Sequence, residues 1–63
     1  MSFAKNLRDK REEKGLTQGE LAKAVGIAQP QIAKYENGIQ VPNAITVVQI
    51  AKQLGTTAEQ LVD

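Results

Sequence analysis

Sixty-three residues with no cysteine and no histidine exclude a disulfide framework and a Cys/His metal centre. One domain, 1–63, is the most that such a length supports, and 41% hydrophobic residues suffice for its small core. The formal net charge is only +1, yet residues 1–34 hold seven basic groups against four acidic ones, while Lys52 faces three acids in residues 35–63. That asymmetry points to a partner on the N-terminal half. Apolar runs of a few residues fall short of the ~20 needed to span a bilayer, so a cytoplasmic protein without membrane attachment is expected.

Gly15, Gly26, Gly38 and Gly55 each follow a helix-favouring stretch, where a left-handed terminator is wanted. Five short helices and no strand are predicted. The first runs from about Phe3 to Lys14, with Phe3, Ala4, Leu7 and Arg11 on its inner face. The second starts at Thr17 and ends near Val25; Thr17 and Glu20 have capping-box spacing, and Leu21, Ala22 and Val25 point inward. The third covers Gln29 to Glu36. Its N-cap is Ala28, whose side chain cannot cap, and Pro30 lies in its first turn, where a missing N–H costs nothing. Ile27 and Ile32 have the spacing of a hydrophobic staple. The fourth follows Pro42 with Asn43 as cap and buries Val47, Ile50, Ala51 and Leu54. In the short fifth, Thr57 and Gln60 repeat the capping-box spacing and Leu61 packs inward.

Function is concentrated in the second and third helices and the turn Val25-Gly26-Ile27-Ala28 between them, where glycine permits a sharp change of direction. On the third helix, Ile32 and Tyr35 face inward, leaving Gln29, Pro30, Gln31 and Lys34 outside or at the exposed end. Glutamine can pair bidentately with adenine in the major groove, and lysine can donate to guanine O6 and N7. Ala28 and Pro30 offer apolar contact to a thymine methyl. Taken alone, this group reads more readily as an ordinary solvated helix face.

The run Gly15-Leu16-Thr17-Gln18, then Glu20-Leu21-Ala22, Gly26, Ile32 and Tyr35-Glu36-Asn37-Gly38, with Pro42 and Ile50-Ala51 beyond, resembles the phage repressor and Cro helix-turn-helix family. The resemblance spans Leu7 to Leu61 and implies an all-α, lambda-repressor-like bundle of five helices that binds double-stranded DNA as a transcriptional regulator. It implies base contacts from Ala28, Gln29, Pro30 and Lys34. It implies phosphate contacts from Gln18, Gln31 and Asn37, and an approach of the loop Gln40 to Asn43 to the sugar-phosphate backbone. It further implies a partly buried ion pair between Arg11 and Glu36. Two departures stand out. Ala28 replaces the common Ser or Thr, and Pro30 replaces a polar reader, leaving Gln29 and Lys34 to discriminate bases.

Members of this family usually pair on palindromic operators. If the fourth helix buries Val47, Ile50, Ala51 and Leu54, then Ile45 and Val48 lie on its other side. With Leu61 and Val62 they are the candidate contact of a weak homodimer. The sequence offers no cofactor or metal site, and no catalytic constellation: Ser2 is the only serine and Asp9, Glu12 and Glu13 alternate with basic residues as helix-surface pairs. Binding rather than enzymatic activity is expected. Two other uses of the same fold are a bridging module that contacts transcription machinery and an antitoxin that binds both DNA and a toxin.

Overall fold

A computed structural model describes residues 2–62 and contains five helices. They are α1 (Phe3–Glu13), α2 (Gln18–Val25), α3 (Gln29–Glu36), α4 (Ala44–Leu54) and α5 (Ala58–Val62). Their ends follow from local chemistry. Thr17 Oγ1 accepts from Glu20 N at 3.0 Å, and Glu20 Oε1 accepts from Thr17 N at 2.8 Å, closing the expected capping box on α2. Asn43 Oδ1 caps α4 by accepting from Thr46 N at 2.8 Å. Ala28 precedes α3 without a side-chain cap, and Pro30 occupies its first turn. Gly26, at φ 89°, ends α2 and lets the chain turn directly into α3.

One cap adds to those expected and one falls short. Ser2 Oγ accepts from Lys5 N at 3.1 Å and caps α1. The capping box on α5 is only half made: Thr57 Oγ1 accepts from Gln60 N at 3.1 Å, while the Gln60 side-chain oxygen takes the Thr56 hydroxyl instead.

The core joins Leu7, Leu21, Ala22, Ile32, Tyr35, Val47, Ile50, Ala51, Leu54 and Leu61. Every helix contributes to it, and α2 packs against both α3 and α4, while α1 packs against α3 and α5. Ile27 is partly buried against this core, of which Ile32 is a member. Asn6 is buried on α1, where its Nδ2 donates to the Leu61 carbonyl at 2.9 Å. That bond joins the first and last helices and was not apparent from the apolar spacing of α1.

Leu61 has no exposed surface. It therefore cannot serve in a contact between two copies: its side chain closes the core under α5 and has nothing left to offer a partner. Ile45, Val48 and Val62, by contrast, are exposed. So are Ile39 and Val41 of the α3–α4 loop. Among the described residues, no helix is long and apolar enough to cross a membrane.

Candidate nucleic-acid interface

The candidate surface starts with α3. Ile32, Tyr35 and Glu36 anchor one side of this helix in the protein, so the other side is turned to solvent. Ala28, Gln29, Pro30 and Lys34 are all exposed there. No carboxylate pairs with Lys34 among the described ion pairs, so its ammonium is free for an external acceptor.

Gln18, the first residue of α2, faces the start of α3. Its Oε1 accepts from Gln29 Nε2 at 3.1 Å, and its Nε2 donates to Glu36 Oε1 at 3.0 Å. One carboxamide therefore orients a reading side chain at one end and engages a buried carboxylate at the other. Gly19 follows, and a Cβ built there would meet only Thr17 Oγ1 at 3.9 Å and Gln29 Cγ at 4.0 Å.

The Glu36 side chain is fully enclosed. Arg11 Nε donates to its Oε2 at 2.6 Å and Arg11 Nη2 to its Oε1 at 3.1 Å, a bidentate fork that fixes the angle between α1 and α3. Arg11 also donates to the Leu16 carbonyl at 2.7 Å and so holds the turn before α2. Arg8, one turn earlier, brings its Nε to 3.5 Å from Glu36 Oε1. Burial alone would raise the Glu36 carboxyl. The hydrogen bonds from Arg11 and Gln18 and the charges of Arg11 and Arg8 outweigh it, and the group is held below the ordinary glutamate range. The hydrogen bond to Glu36 in turn raises Arg11 against the opposing effect of burial. One carboxylate thus ties three helices: the pair of Arg11 and Glu36 was expected, and the bond from Gln18 was not. The part of Arg8 was missed, although its place three residues before Arg11 puts it near the same face.

The remaining residues are less uniform. Asn37 ends α3 with its side chain exposed. Asn43 uses its side-chain oxygen as the α4 cap, so only its NH2 group is free to approach a phosphate. Gln31 and Gln40 bond each other at 2.6 Å, and Gln31 also donates to the Tyr35 hydroxyl at 3.2 Å. Tyr35 is buried, at 7% exposure, and its ring meets Phe3 edge-on. From Ala28 to Asn43, Lys34 and the enclosed Glu36 are the only charged residues. The exposed surface is therefore rich in amides and poor in charge.

A family model described as helix-turn-helix matches residues 7–61. The chain is 37% identical over 60 residues to the cryptic phage CTXphi transcriptional repressor RstR of Vibrio cholerae, a match covering 95% of this chain and 54% of RstR. It thus spans about half the length of that repressor. The P22 c2 repressor, crystallised in complex with a synthetic operator, has the same fold, with a TM-score of 0.95 at 22% identity over 100% of this chain and 96% of that one. Hydroxypropylphosphonic acid epoxidase from S. wedmorenis also contains it, with a TM-score of 0.86 at 30% identity over 97% of this chain but only 32% of the epoxidase. The same bundle therefore occurs in a repressor and as a minor part of an enzyme. With the family model matching residues 7–61 and a phage repressor among the relatives, the chain belongs to the helix-turn-helix family of phage repressors and Cro proteins.

Proposed function

We propose that this protein binds a specific double-stranded DNA site, with α3 in the major groove, and represses transcription where that site overlaps a promoter. The observation that carries this reading is the exposed edge of α3. Gln29 and Lys34 project from a helix whose opposite side is locked by Ile32, Tyr35 and Glu36, and Gln18 holds the Gln29 carboxamide before any ligand arrives. Gln18, Asn37, Gln40 and Asn43 set the register through phosphates, and Gln29 and Lys34 select bases. The activity is binding in the cytoplasm rather than catalysis.

Two copies bind together on a palindromic operator, with half-sites about 34 Å apart. Ile45 and Val48 share a face of α4, at 71% and 44% exposure, and Asn37 to Ala51 contains no charged residue. A two-fold interface sets a surface against itself, so an uncharged stretch avoids like charges meeting near the axis. Val62 is the exposed large apolar residue of α5, and we assign it to the same contact. Such an interface is small, and the dimer assembles fully only on DNA.

Selection from random-sequence duplexes tests the whole reading. An inverted repeat is expected among the enriched sequences, and Ile45→Glu should reduce cooperative occupancy of its two halves. Failure to enrich any sequence would refute the DNA-reading role. A single asymmetric half-site would refute the dimer alone.

A further inference from the structure

Gln31 lies on α3 and Gln40 on the loop that follows, and their carboxamides meet at 2.6 Å with Gln31 Nε2 as donor. The same nitrogen donates to the Tyr35 hydroxyl at 3.2 Å. Both amide hydrogens of Gln31 are therefore used within the protein. Phosphate oxygens are acceptors, so Gln31 has no donor left for them; only its own carbonyl oxygen remains. Gln40 is the converse case. Its carbonyl oxygen is occupied by Gln31, and its NH2 group is the free end of an exposed side chain. The far end of this brace is firm, because Tyr35 is buried and packs edge-on against Phe3 with ring centroids 6.4 Å apart.

We propose that Gln31 is a positioning residue: it turns the Gln40 carboxamide so that the NH2 group faces outward as a donor to a DNA phosphate, and it touches no phosphate itself. This inference rests on the DNA-binding reading above and reassigns Gln31, which the family resemblance marks as a phosphate ligand. The orientation matters because residues 37–43 contain neither lysine nor arginine. A dipole with its positive end outward attracts a phosphate, and the same carboxamide reversed repels it.

Gln40→Glu separates these roles. A carboxylate still accepts from Gln31, so the brace survives and the melting temperature should stay within about 3 °C of wild type. The outward donor is lost, so affinity should fall by about tenfold or more, the size of one hydrogen bond to a charged group, and by the same factor on selected and random duplexes. Gln31→Leu should weaken binding to both duplexes without changing the preferred bases. In the Gln40→Glu background it should add less than about a twofold loss, because its effect passes through Gln40. Three outcomes would overturn the assignment while leaving the DNA-binding reading intact: wild-type affinity in Gln40→Glu, a marked loss of stability in that variant, or an undiminished effect of Gln31→Leu in the double variant. If the wild-type protein binds no duplex at all, the reading and the assignment fall together.

Discussion

Glu36 accepts from Arg11 and Gln18 while its side chain is closed off from water. Removing the Arg11 guanidinium would strand a buried carboxylate, with only the half-exposed Arg8 at 3.5 Å as a remaining cation. Arg11→Ala is therefore expected to cost about 3 kcal/mol or more. In a domain this small that lowers the melting temperature by at least ~10 °C, and an unchanged melting curve would show the pair to be dispensable. The pH dependence has a definite sign. Glu36 is held below its ordinary range in the folded protein, so the unfolded chain takes up the proton first as pH falls. Its contribution is complete above the ordinary glutamate value, about 4.3, and is lost as pH drops through the lower folded value. Denaturant midpoints measured against pH should show a shallower acid limb in Glu36→Gln than in wild type. Parallel curves would contradict this.

At the scale of elements, α2 contains a glycine that its backbone does not require. Gly19 has no positive φ, unlike Gly15, Gly26, Gly38 and Gly55, and a Cβ there would make only ordinary contacts. Gly19→Ala should stabilise the protein by up to about 1 kcal/mol through helix propensity. A thermal melt checks this, and a lower midpoint would mean that the contact with Gln29 is tighter than 4.0 Å implies. The helix boundaries themselves were legible because caps are local: Thr17, Glu20 and Asn43 act within one turn of their own position. The candidate reading residues were legible for a related reason, since an anchored Ile32 and Tyr35 leave little choice about where Lys34 points. Contacts between distant segments left no such periodic trace. Nothing in the spacing joins Asn6 to Leu61 or Gln31 to Gln40, because those bonds depend on where loops return in space. Leu61 illustrates the same limit. Its inward direction was apparent, but the depth at which α5 seats it was not, and that depth removes it from any surface contact.

For the molecule as a whole, charge and shape are unevenly divided. Half of the eight basic residues lie on α1, where Lys5 pairs with Asp9 and Arg11 with Glu36, and Lys34 is the one basic residue of α3. Counterion release should therefore be modest. For one protomer the slope of log K against log salt is expected near −1 to −3, since each neutralised phosphate contributes about −0.9. A much steeper slope would mean that α1 lysines and arginines meet the duplex. Specificity then falls to a few oriented groups on a rigid helix. The most direct test of that claim is the affinity of Lys34→Ala, beside wild type, for every single-base variant of the selected operator. The expected result is a loss of ~1–3 kcal/mol on the operator, with discrimination relaxed at one base position per half-site. A loss equal on all duplexes, or no loss at all, would mean that α3 does not read bases through Lys34.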